Sequence, residues 1–214
     1  MSTIINATTT NGVVIQPDNS GSLVLQTNNG TTALTISTAQ NATFAAQATI
    51  PTINLTGGQI KFPTTQSASA DGNTLDDYEE GTWTPTVTFT TPGNLSVAYS
   101  YRIGQYQKVG GWVTVSFSLR SSTFTFTTAS GDLTVSGLPF TSHTETDGEF
   151  NGAGAFRGIT KANFTQISAS VGSNVATIRF NASGSGQIYT SVEATDTPTA
   201  GTLILKFTCS YKTA

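Results

Sequence analysis

The densest group of ionisable residues is Leu75-Asp76-Asp77-Tyr78-Glu79-Glu80-Gly81, which places four carboxylates within five positions. Two carboxylates can hydrolyse a glycoside when they flank a bound sugar and one is held protonated. Nothing in the neighbouring sequence would raise one of these four selectively, so the run reads as a solvated polar junction. Copies of one chain set side by side would bring like charges together at this point. The run is therefore expected to face outward, to pair with Lys108 or Arg102, or to hold a cation. Asp71, Asn73, Asp76 and Asp77 offer hard oxygen ligands of the kind calcium takes, but their spacing is not that of an EF-hand loop. No metal site and no cofactor is assigned.

The other candidates are weaker. His143 is the single histidine and lies in Thr141-Ser142-His143-Thr144-Glu145-Thr146-Asp147-Gly148-Glu149, a loop by composition. A nucleophilic triad needs a supported nucleophile and an orienting carboxylate as well as a base, and no Gly-x-Ser-x-Gly elbow is present. His143 reads as a surface histidine. Cys209, the single cysteine, alternates with apolar residues and reads as a buried thiol; alone it forms neither an internal disulfide nor a cysteine zinc site. Gly152-Ala153-Gly154-Ala155-Phe156-Arg157-Gly158 has the wrong spacing for a dinucleotide loop and opens no helix. No catalytic residue follows from these patterns, and the chain is read as a non-enzyme. Trp112 shares a strand face with Thr114, Ser116 and Ser118, which suits a subunit interface or a platform for a sugar ring. Ligand contacts are expected from the loops at 141–157 and 181–187. The candidate ligand or interface residues are Trp112, His143, Glu145, Asp147, Glu149 and Arg157.

The elements that must position these residues are strands. Charged residues make up 10% of the 214, against about 25% in an average soluble domain. Threonine alone fills 41 positions, and its β-branched side chain sits well on a pleated surface. The net charge is −3 and the basic residues are scattered, which argues against a nucleic-acid partner. No apolar run is long enough to span a membrane as a helix. The first ten residues lack the basic and apolar regions of a secretory signal, so synthesis in a cytoplasm is expected.

Two textures divide the chain. Before residue 75 the charges are Asp18, Lys61 and Asp71. Short apolar pieces (13–15, 23–25, 33–36, 50–55, 60–62) alternate with Asn11-Gly12, Ser20-Gly21, Asn29-Gly30 and Gly57-Gly58 turns. Each piece is too small to bury a core by itself, so ordered β structure here is expected to depend on association. Residues 64–74 are small and polar, like a linker. From Thr82 onward Trp83, Pro85, Val87 and Phe89 alternate with threonines, a period of two. Val97 to Ile103 and Val113 to Leu119 flank Gly110-Gly111 as a hairpin. Further strands are expected at 123–127, 133–135, 164–171, 175–180 and 187–192, with a last one carrying Leu203, Leu205, Phe207, Cys209 and Tyr211 on one face. The fold class is all-β: an N-terminal fibrous, intertwined β shaft (1–63), a linker and acidic junction (64–81), and a C-terminal jelly-roll-like β-sandwich head (82–214).

Leu75-Asp76-Asp77-Tyr78-Glu79-Glu80-Gly81-Thr82-Trp83-Thr84-Pro85 resembles a junction that precedes the C-terminal β domain of many bacteriophage virion proteins. Gly104-Gln105-Tyr106-Gln107-Lys108-Val109-Gly110, Leu133 to Phe140 and the Leu203 to Tyr211 strand are similar to the segments that follow in those proteins. Leu34 to Phe44 resembles the β-rich shaft of tail and head fibres. The resemblance implies a homotrimeric fibre or tail appendage of the virion, bound to other virion proteins through its N-terminal segment. It implies a head that contacts the host surface, with host polysaccharide as the expected ligand and multivalency as the source of avidity. Two other roles fit the same family: an architectural capsid or tail decoration without a host ligand, and a small depolymerase.

Overall fold

The computed structural model describes residues 21–27, 30–46, 48–144 and 149–213. The chain is all-β and divides into two compact units, 1–59 and 60–214. The expected piece at 13–15 with its Asn11-Gly12 turn, and the candidates Glu145 and Asp147, lie outside the described residues.

The first unit holds a three-stranded antiparallel meander of β1 (Leu23–Thr27), β2 (Thr31–Ile36) and β3 (Ala42–Phe44). Its register sets Leu23 opposite Ile36, Leu25 opposite Leu34, and Leu34 opposite Phe44. Period-two geometry therefore gathers these apolar residues on one face. No described residue before Asp77 is buried, and Phe44 is 47% exposed. The pieces at 50–55 and 60–62 form no strands. Among the described residues they pair with no other strand.

The second unit contains β4 (Tyr78–Trp83), β5 (Thr86–Thr91), β6 (Ser96–Val109), β7 (Trp112–Thr125), β8 (Ser130–Ser136), β9 (Phe150–Arg157), β10 (Gln166–Val171), β11 (Thr177–Ser183), β12 (Thr190–Ser191) and β13 (Ile204–Lys212), with one 3₁₀ turn at Ala194–Asp196. They make one ten-stranded sheet in the order β4-β6-β7-β13-β9-β10-β11-β8-β5, with β12 paired to β11. The strands at its two ends, β4 and β5, are joined by Thr84-Pro85 alone. Two residues reach about 10 Å at most between flanking Cα atoms, so the sheet must roll until its edges meet. Across the roll the Val87 N–H donates to the Tyr99 hydroxyl (2.9 Å) and Arg102 donates to the Thr86 hydroxyl (3.1 Å). The strands expected as a jelly-roll-like sandwich thus form one continuous, rolled sheet whose walls face each other across the core.

The walls close on aromatic rings. Trp83 packs edge-on to Phe117 at 5.6 Å, Phe117 against Phe207 at 6.1 Å, and Phe207 against Phe180 at 5.1 Å, so one chain of rings crosses β4, β7, β13 and β11. Phe89, Phe124 and Phe126 form a second group at 5.1–6.0 Å. Edge-on rings set a positive rim against a negative face and add to the area they bury. The face of β13 carrying Leu205, Phe207, Cys209 and Tyr211 is buried, as its alternation required.

Three expectations need correction. Residues 123–125 continue β7 rather than starting a new strand, and the strand expected over 187–192 shrinks to Thr190–Ser191. The stretch expected as a loop over 141–157 is a strand from Phe150 to Arg157, paired with both β13 and β10. Its Gly-Ala alternation gives no apolar period, and its glycines are required for another reason. A Cβ on Gly154 would lie 2.0 Å from the Lys206 carbonyl oxygen, and one on Gly152 would lie 2.2 Å from that of Thr208. Close approach to β13 selects glycine here.

Candidate functional site

The acidic run is built into the sheet. Within β4, Tyr78 stands opposite Val109, Glu79 opposite Lys108 and Gly81 opposite Tyr106 on β6. Asp77 and Glu79 lie two residues apart and share a face, and each finds a partner there. The Asp77 carboxylate and the Lys108 ammonium form an ion pair in which both residues are 6% exposed. The Lys108 ammonium also sits 5.4 Å from the centre of the Phe140 ring, a cation–π contact. The Tyr106 hydroxyl donates to Glu79, and this bond, with partial burial, pushes its pKa up to about 12. Glu80 accepts from the Tyr78 hydroxyl at 2.7 Å. Asp76 ties back the preceding segment: it accepts from the Ser69 N–H (2.9 Å) and the Gln66 amide (3.2 Å). The Ser69 bond is the larger cause that holds its carboxyl below the usual range. Pairing with Lys108 was the expected alternative that the geometry realises, while Arg102 turns to Thr86 and the Tyr99 ring instead. All four carboxylates are engaged as acceptors in the fold. Among the described residues no group of three or more His, Cys, Asp or Glu is arranged to hold a metal ion.

A different part of the sheet has the shape of a ligand site. Glu149, Asn151, Ser168, Asn181 and Tyr189 line a cleft of about 390 Å³, which is within the size range of small-ligand sites, about 300–1,000 Å³. Three strands place its floor. Asn151 on β9 pairs with Ser170 on β10, and Ser168 on β10 pairs with Asn181 on β11. Period two puts Asn151, Ser168 and Asn181 on the face opposite the fully buried Ala169 and Phe180, with Asn181 itself 8% exposed. Glu149 is held in place by the Ser170 hydroxyl at 3.1 Å. Tyr189 stands at the entrance to β12 and is 63% exposed, next to Ile188 at 89%. The donor and acceptor set is two amides, hydroxyls and one carboxylate beside an accessible aromatic ring. Amides and carboxylates can bridge adjacent hydroxyls of a sugar, and an aromatic face covers the C–H face of a pyranose.

Of the residues singled out from sequence, Glu149 lines this cleft and Asn181 from the second expected loop joins it. Trp112 is 53% exposed on the hydroxyl-bearing face of β7, as its alternation with Val113 required, and packs edge-on to Phe150 at 5.5 Å. His143 is half-buried: its backbone N–H donates to the Lys212 carbonyl, and its backbone carbonyl accepts from the Asn174 N–H. Arg157 ends β9, about 25 Å of extended chain from Glu149, and is not brought to the cleft. Asn151 falls within the first stretch expected to make ligand contacts, 141–157, and sequence reasoning missed Ser168 and Tyr189. The available signal was Ile188-Tyr189, large apolar residues in a segment whose strand is only two residues long.

No family model and no curated protein sequence matches the chain. Among solved structures the chain is similar to the Dettilon tailspike protein (gp208), at 18% identity and a TM-score of 0.48. The similarity covers 62% of this chain and 23% of that one. A likeness at that level carries no argument about function.

Proposed function

We propose that the chain is a structural component of a bacteriophage particle, a homotrimeric short fibre or tail appendage whose second unit holds a host-surface glycan in the Tyr189 cleft. The observation that carries this reading is the cleft itself, with amide, hydroxyl and carboxylate groups converging beside an exposed ring. The virion assignment rests on the resemblance of residues 75–85 and 104–110 to phage junction segments. The apolar face shared by Leu23, Leu25, Leu34, Ile36 and Phe44 supports self-association, because among the described residues none of it is fully buried and further copies would bury it. In this reading the first unit attaches and forms the shaft, and the second is the head. The function is binding rather than catalysis: among the described residues the cleft holds one carboxylate, whereas glycoside hydrolysis takes two.

The test is binding of the full chain to surface polysaccharides of candidate bacterial hosts, with Tyr189→Ala and Asn181→Ala alongside. Saturable binding is expected, weakened about tenfold or more by either variant, with circular dichroism unchanged. Sedimentation should give three chains per particle. If no polysaccharide or host cell binds, the adhesive role fails and the architectural role replaces it; chain shortening of the polysaccharide would instead establish a depolymerase.

A further inference from the structure

The cations of this acidic chain are unevenly placed. Six of the nine, Arg102, Lys108, Arg120, Arg157, Lys206 and Lys212, lie on the four adjacent strands β6, β7, β13 and β9. Those four strands contain none of the twelve acidic residues. Lys108 is neutralised by Asp77, and Arg102 bonds across the roll. Arg120, Arg157 and Lys206 are exposed and have no hydrogen bond or ion pair among the described residues.

These three stand together. Ile204 on β13 is in register with Arg120 on one side and Arg157 on the other. With strands about 4.8 Å apart, the two arginines start roughly 10 Å from each other. Lys206, two residues along β13, is on the same face about 7 Å away. At that spacing their long side chains can reach a common volume, where each lowers the cost of holding an anion and none pairs with a carboxylate among the described residues. Lys206 also lines a groove of about 370 Å³ with Ile103, Gln105, Ser116, Ser118 and Thr208. The groove thus offers hydroxyls, an amide and an apolar side chain that is 59% exposed, Ile103, next to the charge. The two rings at its floor, Phe117 and Phe207, are 5% and 3% exposed, so no stacking platform for a nucleobase is presented.

We infer that the outer face of β6, β7, β13 and β9 carries a second binding site, for an acidic saccharide whose anionic group lies between Arg120, Arg157 and Lys206 while its sugar hydroxyls meet Ser116, Ser118 and Thr208. The site deepens the glycan-binding reading but uses none of the Tyr189 cleft residues, so each can fail without the other.

The experiment uses the full chain with three probes: a uronic-acid hexamer, its methyl ester and inorganic polyphosphate of matched charge. The hexamer should bind, and its affinity should fall between roughly 50 and 200 mM salt because ion contacts carry it. The methyl ester should bind about tenfold more weakly or worse, having lost its charge-assisted hydrogen bonds. Arg157→Gln combined with Lys206→Gln should cost the hexamer a similar factor, Lys206→Arg should retain binding, and glycan binding in the Tyr189 cleft should persist in all of them. Equal binding of the ester, or an unaffected Gln double variant, overturns the inference. Polyphosphate binding as tightly as the hexamer also overturns it, leaving a surface that reads charge alone. So does resistance of Lys206 to amine acylation in the assembled protein without ligand, which would place this face between copies of the chain.

Discussion

The indole of Trp83 lies directly over Gly104, its cross-strand partner: a Cβ added to Gly104 would come 2.6 Å from the ring. Two residues further along the same pair of strands the arrangement is reversed. Tyr106 covers Gly81, where a Cβ would come 2.8 Å from the phenol. Each ring fills the space that the opposing glycine leaves empty, and the Trp83 N–H donates to the Gln105 carbonyl at 3.2 Å. The spacing Gly81-Thr82-Trp83 against Gly104-Gln105-Tyr106 is one device, an interlocked pair of aromatic-over-glycine contacts that fixes the register of β4 on β6.

Gly104→Ala should therefore be costly although it adds one methyl group. Displacing a buried indole in a packed core takes about 1–3 kcal/mol. Urea unfolding followed by tryptophan fluorescence checks this. In a Trp83→Phe background, where the smaller ring leaves room, the same substitution should cost less, and the difference between the two backgrounds measures the contact.

The buried Asp77–Lys108 pair should respond unequally to single and double changes. Asp77→Asn or Lys108→Met alone leaves one buried charge uncompensated, at about 3–5 kcal/mol. Replacing both with apolar residues of similar volume should cost less than either single change. Denaturant midpoints for the four proteins check the order.

Tyr106 contributes to the alkaline limb of stability, beside the Cys209 thiol and the Tyr211 phenol, whose pKa values burial also raises. Its ordinary pKa of 10.0 is raised to about 12 by the bond to Glu79 and by burial. A raised folded pKa means that this contribution is fully present below pH 10 and is lost as pH climbs through 12. Ultraviolet titration should show one phenol ionising near 12 that is missing in Tyr106→Phe, and that variant should lose less stability across the same window. Glu79→Gln should bring the phenol's pKa down.

Cys209 should be inert in the native protein. Its thiol is 3% exposed and burial pushes its pKa up to about 12. A thiol reagent at pH 8 should find almost no thiolate and no access in the native protein, and one reactive group per chain after denaturation. Rapid labelling of the folded protein would contradict the buried placement of β13.

What the sequence by itself determined is what local periodicity controls. Alternation placed Val113, Val115, Phe117 and Leu119 on the core face and Trp112, Thr114, Ser116 and Ser118 on the other. It put Cys209 in the core, and Gly110, with its φ of +55°, turned β6 into β7. These depend on side chains two residues apart and on one glycine's backbone freedom, so they can be read without knowing any partner strand. The tertiary structure alone decided which strands meet. That β4 and β5, two residues apart, form opposite edges of a rolled sheet follows from the eight successive pairings across it, several of them between segments far apart in the sequence. That 150–157 is a strand follows from β13 coming too close for any side chain at Gly152 and Gly154, a constraint that leaves no apolar period to detect. The cleft has the same origin: Glu149, Ser168, Asn181 and Tyr189 are spread over about 40 residues of sequence, and only the pairing of β9, β10, β11 and β12 brings them together.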